Sequence, residues 1–128
     1  SFYDIESESN VFVSGGSDYK AIVWNSKQEI LYELKGHTGN INSIDITKDG
    51  KIITGSYDAT AKIWDKDKCL YTLSGHLHGV EVCALDSGEI ITGTYKDIYI
   101  WSNKGKQIKS IKFAHDHMIR KIRKHPLG

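Results

Sequence analysis

The chain has 128 residues and a formal net charge of +1, from 17 Lys and Arg against 16 Asp and Glu. That length suits one domain or a piece of one, and the charge balance excludes a globally basic nucleic-acid binder. Ile, Val, Thr, Tyr, Phe and Trp together number 42 whereas Ala and Leu number only 12, so the fold class is all-β.

Strand-like runs follow one another along the chain at short intervals. A weak opening strand near 2–6 precedes runs at 11–16, 21–25 and 30–34. The middle of the chain reads INSIDIT (41–47), KIITGS (51–56), AKIWD (61–65) and CLYTL (69–73). Runs near 80–86, 89–94, 97–102 and 107–113 come next, and a single further strand is expected near 118–124. Turn residues punctuate them, as in Lys48-Asp49-Gly50, Tyr57-Asp58-Ala59-Thr60 and Lys66-Asp67-Lys68. Connections this short make neighbouring strands pair antiparallel in a meander.

Three markers share one period. Trp24, Trp64 and Trp101 are spaced 40 and 37; Ser14-Gly15, Thr54-Gly55 and Thr92-Gly93 are spaced 40 and 38; His37, His76 and His115 are spaced 39 and 39. A repeat of about 39 residues means stacked copies of one four-stranded unit. The units run 1–35, 36–74 and 75–113, and residues 114–128 open a fourth.

The segments GHTGNINSIDITKDGKIITGSYDATAKIWD (36–65) and GHLHGVEVCALDSGEIITGTYKDIYIWS (75–102) resemble WD40 repeats of a β-propeller. The resemblance implies that each unit is one propeller blade. It also implies a polar relay inside each blade, running from Trp through Ser or Thr and His to Asp. The matching residues are Trp64, Thr54, His37 and Asp58 in the second blade. Trp only donates while a hydroxyl and a neutral imidazole each donate and accept, so the chain of four can close. The third blade offers Trp101, Thr92 and His76, but its turn is one residue shorter, so Lys96 and Asp97 compete for the acid position. An incomplete relay is expected there. The first blade has Trp24, Ser14 and Asp18 without a His. All of these residues are read as structural, none as catalytic.

Three blades and one strand cannot close a ring, and the opening SFYDIESESN carries no Met. The expectation is a piece of a longer, seven-bladed protein, the alternative being copies that complete one another through open blade edges.

In WD40 proteins, partner-reading residues flank the apolar residue that opens the innermost strand or precede the turn Asp. The resemblance carries these roles to Asn40, Asn42 and Tyr57 in the second blade and to Gly79, Glu81 and Tyr95 in the third. Ser17 takes the turn position of the first blade, and Met118 and Arg120 open the fourth. Tyr, Met and Arg suit a protein interface. Within the family, GSYDATAKIWDKDKCLYTLSGH (55–76) and GGSDYKAIVWN (15–25) look like the phospholipase A2-activating-protein subfamily. That resemblance implies a ubiquitin-binding propeller in ubiquitin-dependent degradation. Other regions would contact the AAA ATPase valosin-containing protein. A generic scaffold or substrate adaptor is the alternative.

Other chemistry finds little support. His76-Leu77-His78 and His115-Asp116-His117 have a spacing that a zinc site could use in a strand, but no further ligand recurs at regular spacing. Gly15-Gly16-Ser17 lacks the Lys and helix of a phosphate loop, and Asp45, Asp65 and Glu81 form no evident catalytic pair. No enzymatic activity, metal or cofactor is expected. Residues 104–128 carry a net +7, which would favour nucleic acid or anionic lipid, although Lys109 and Lys112 alternate with Ile108 and Ile111 as in a half-exposed outer strand. Two cysteines cannot build a disulfide framework, and no apolar run reaches the roughly 18 residues of a membrane span. A cytoplasmic or nuclear location is expected.

Overall fold

The computed structural model describes residues 4–6, 11–15 and 18–112. Among these residues, twelve strands form three four-stranded sheets, each an antiparallel meander in chain order. The first sheet holds β1 (Asp4–Glu6), β2 (Phe12–Gly15), β3 (Ala21–Trp24) and β4 (Ile30–Leu34). The second holds β5 (Ile41–Ile46), β6 (Ile52–Ser56), β7 (Ala61–Asp65) and β8 (Lys68–Leu73). The third holds β9 (Glu81–Ala84), β10 (Ile90–Gly93), β11 (Asp97–Trp101) and β12 (Gln107–Lys112). Among the described residues there is no helix, and so none long and apolar enough to cross a membrane. The strand expected near 118–124 lies outside the described residues.

One register repeats in all three sheets. Phe12 faces Trp24, Ile52 faces Trp64 and Ile90 faces Trp101. Each Trp also sits at a register shift against the outer strand of its sheet. A bulge there adds local twist where the largest side chain must turn inward.

Strand alternation gives each sheet two faces, and the faces interlock. Val13, Ala21, Val23 and Leu34 of the first sheet pack on Ile41, Ile44, Ile52 and Trp64 of the second. The opposite face of the second, Ile53, Ala61, Ile63 and Leu73, packs on Val80, Val82, Ala84, Ile90, Tyr99 and Trp101 of the third. The approach is close enough to explain the recurring Gly of the Thr-Gly pair. A Cβ on Gly55 would stand 2.3 Å from the Val80 carbonyl oxygen, so a side chain there would force the second and third sheets apart.

The ladder also corrects the sequence alignment of the inner strands. Between Ile41 and Ser43 the register of β5 shifts, and Asn42 is the residue left out of the pairing. Ser43 faces Gly55 as Glu81 faces Gly93. Glu81 therefore matches Ser43, not Asn42, and the third blade lacks the bulge.

Candidate functional site

The relay of the second blade closes in full. The Trp64 indole donates to Thr54 Oγ1 at 2.9 Å, and His37 Nε2 meets the same oxygen at 2.7 Å. Because Thr54 already accepts from Trp64, its hydroxyl proton points to His37 Nε2, and His37 carries its own proton on Nδ1. Nδ1 donates to Asp58 Oδ2 at 2.8 Å. Burial lowers the His37 pKa against the opposing pull of Asp58, which keeps the ring neutral. Asp58 is caged by the Thr38 amide at 3.0 Å, the Thr60 amide at 2.9 Å and the Thr60 hydroxyl at 2.6 Å. Burial pushes its carboxyl up, yet the bonds from Thr60, Thr38 and His37 outweigh that and bring it down to about 2.

In the third blade the structure decides between the two candidate acids and corrects the expectation of a gap. Asp97 Oδ1 meets His76 Nδ1 at 2.7 Å, His76 Nε2 meets Thr92 Oγ1 at 2.8 Å, and Trp101 donates to Thr92 at 2.8 Å. The shorter turn places Asp97 at the first position of β11, where the Thr94 hydroxyl donates to it at 2.6 Å. Lys96 instead stands exposed, with Nζ 5.5 Å from the Tyr95 ring. The first blade keeps only the opening bond, Trp24 to Ser14 Oγ at 2.9 Å. Asp18 does not extend it: its exposed carboxylate pairs with Lys20 at 3.7 Å.

Above the relays the blade turns form a rim. Tyr57 is 66% exposed, and its amide donates to the Asn40 carbonyl at 2.9 Å. Its ring lies across the next blade, since a Cβ on Gly79 would stand 2.6 Å from Tyr57 Cδ1. Gly79 is the seat of that ring. Tyr95 is less open than Tyr57; it packs on His78 with ring centroids 4.8 Å apart and its hydroxyl 3.3 Å from His78 Nε2. Asn40 is exposed, while Asn42 and Glu81 are half-buried at the inner strands. The Asn42 Oδ1 atom is buried without a hydrogen-bond partner among the described residues. Ser17, Met118 and Arg120 lie outside the described residues.

Sequence reasoning passed over Leu77, which is 86% exposed in the loop that carries Gly79. The flanking His76 and His78 had been weighed only as a metal pair, and set aside. His76 and His78 do not converge, because His76 turns into its relay while His78 turns to Tyr95, and Leu77 between them faces solvent. Among the described residues no three His, Cys, Asp or Glu side chains gather as a metal site. His115 and His117 lie outside the described residues. Cys69 is exposed and Cys83 buried, and neither is in a disulfide among the described residues.

The family model for the WD domain, G-beta repeat, matches residues 28–65 and 67–102, more than half of the chain. The chain is 38% identical over 71 residues to phospholipase A-2-activating protein of Xenopus laevis, covering 55% of this chain and 9% of that protein. It is 36% identical over 75 residues to Protein DOA1 of Saccharomyces cerevisiae, covering 56% and 10%. It is also 30% identical over 119 residues to mitochondrial division protein 1 of Kluyveromyces lactis, covering 79% and 17%. The match thus spans less than a fifth of each of these relatives.

Proposed function

We infer, from a chain that belongs to the WD40-repeat family, a non-enzymatic protein-binding platform whose partner is ubiquitin or a ubiquitin-bearing client. The observation that carries this reading is the junction of the second and third blades, where Tyr57 lies open on Gly79 and Leu77 stands almost fully in solvent. Tyr supplies flat apolar area at low cost in rotamer entropy, and its hydroxyl tolerates a wet rim. Such a patch suits a small interface and weak, reversible binding. The likeness to phospholipase A-2-activating protein and Protein DOA1 supports ubiquitin as the partner and ubiquitin-dependent degradation as the setting. Contact with valosin-containing protein would fall to regions beyond this chain. Two cysteines are too few for a disulfide framework, which favours a reducing location, cytoplasmic or nuclear.

An NMR titration of labelled ubiquitin with the intact protein tests the reading. Shifts confined to one ubiquitin face, lost with Tyr57→Ala or Tyr95→Ala while the fold survives, are the expected result. An unperturbed ubiquitin spectrum at high micromolar protein refutes it. A scaffold for another partner is the second reading, favoured by the longer match to mitochondrial division protein 1. Binding through the basic residues 104–128 would instead weaken steeply with added salt.

A further inference from the structure

The two halves of the rim belong to different blades, so their relative position depends on what fixes β9 against β5. β9 is the innermost strand of its sheet and, among the described residues, pairs with β10 alone. Alternate amides of such an edge strand face away from the sheet and need partners. Three bonds from the second blade supply them. Val80 N donates to the Ser56 carbonyl at 3.1 Å, Val82 N to Ser43 Oγ at 3.0 Å, and Ala84 N to Asp45 Oδ2 at 2.7 Å. Asp45 is itself held, because its Oδ1 accepts from Ile46 N at 2.8 Å.

The last bond is peculiar to this junction. Asp45 faces Ile53 across the ladder; in the first sheet Ile5 faces Val13, and in the third Cys83 faces Ile91. A charged acceptor at this position therefore occurs in one of the three blades. Its cost in desolvation is offset by two backbone donors, and a bond to a charged group is stronger than a neutral one. Ser56, which anchors Val80, also donates through Oγ to the Gly39 carbonyl at 3.0 Å and accepts from the Asp58 amide at 3.0 Å. The tie thus runs from the inner strands into the turn that carries Tyr57.

We propose that Asp45, with Ser43, is a positioning residue for the rim: it locks β9 to β5 and so fixes Tyr57 against Gly79 and its loop. This goes beyond the choice of partner and stands or falls separately from ubiquitin. Without the tie, the second and third blades keep their apolar contact but lose the register in which the Tyr57 ring meets Gly79.

Amide hydrogen exchange and NMR on the intact protein test it, with Asp45→Ala, Asp45→Asn and Ser43→Ala. Asp45→Ala is expected to speed exchange of the Ala84 amide at least about tenfold and, as β9 loses its register against β5, to speed that of the Val80 amide to a smaller extent. The ring-current shift that Tyr57 imposes on the Gly79 α-protons should shrink in the same variant. Asp45→Asn keeps an acceptor oxygen and should restore both signals most of the way, which keeps the test readable if the alanine variant does not fold. Ser43→Ala should free the Val82 amide alone. An Ala84 amide equally protected in Asp45→Ala overturns the tie. A freed Ala84 amide with an unmoved Gly79 shift overturns the positioning role. Failure of the unaltered protein to bind ubiquitin, with these shifts as expected, counts against the partner and not against Asp45.

Discussion

The second and third blades complete the same relay and support it by different means. In the second, the acid comes from the turn and is caged by two backbone amides and a hydroxyl, while Lys62 occupies the ladder position opposite Thr54. In the third, the acid opens the strand, side chains of Thr94 and His76 hold it, and Tyr99 stands opposite Thr92. Tyr99 stacks on His76 at 4.1 Å with an interplanar angle of 16°, and its hydroxyl donates to the Gly75 carbonyl at 3.1 Å. Among the described residues His37 has no stacked ring beside it; Trp64 stands tilted at 6.4 Å. One blade secures its histidine through the acid, the other through a stacked ring. Turn length chooses between them, because the longer turn alone brings backbone amides around the carboxylate.

The largest break in this comparison should come from the stacked ring. Tyr99 is buried against Trp101 and His76, so Tyr99→Ala removes apolar contact and a hydrogen bond and should cost about 3–5 kcal/mol. Lys62→Ala at the matching position of the second blade loses a bond from Nζ to Thr72 Oγ1 and should cost under about 1 kcal/mol. Chemical denaturation of the intact protein measures both. Similar losses would mean that the two blades share one support.

The acids should differ in the opposite order. Asp58→Ala orphans the Thr38 and Thr60 amides as well as His37 and should cost about 1–3 kcal/mol. Asp97→Ala leaves His76 stacked on Tyr99 and should cost about half as much. An Asp97 variant weaker than the Asp58 variant would overturn the division of labour.

What the sequence made legible follows the same division. Trp, Thr and His recur at about 39 residues because the relay needs those donors and acceptors at fixed places on the ladder. The choice between Lys96 and Asp97 was illegible because a turn one residue shorter moves the acid from loop to strand. The bulge at Asn42 was hidden for a related reason: spacing counts residues but does not say which one leaves the pairing. The tie from Asp45 to Ala84 was beyond reach, since it depends on how one sheet stacks on the next. Leu77 was passed over because its histidine neighbours were weighed only as a ligand pair and set aside, and spacing does not say that the residue between them faces solvent.

Acid should sharpen the contrast further. His37 and His76 both have pKa values lowered by burial, with Asp58 and Asp97 opposing the shift. A lowered folded value means that the unfolded chain binds the proton more readily, so stability is fully present above the unfolded pKa of 6.5 and falls as pH drops below it. Asp58 extends the loss: its contribution is intact above 3.8 and disappears as pH falls through about 2. The acid limb should therefore begin near pH 6.5 and continue below 4, with about 1 kcal/mol lost over the lower part. Asp58→Asn should flatten that lower part more than Asp97→Asn does. Denaturant midpoints measured from pH 7 to pH 3 give the answer, and identical curves for the two Asn variants would refute the caged-acid account.

The smallest effect belongs to the hairpin at the far end of β7, which serves as the control. Lys66 is exposed, with a left-handed φ of 57°, in the turn between Asp65 and Lys68. The matching turn of the third blade places Gly105 at a φ of 78°. Lys66→Ala removes a solvated charge and keeps a side chain with the same left-handed penalty, so stability should change by less than about 0.5 kcal/mol. Lys66→Gly removes that penalty at the expense of a more flexible unfolded chain, and the two terms should nearly cancel. Melting temperatures of the two variants against the unaltered protein check both statements. A shift for Lys66→Ala as large as that for Asp58→Ala would mean that any change in the second blade is felt equally, and the special standing of its caged acid would be lost.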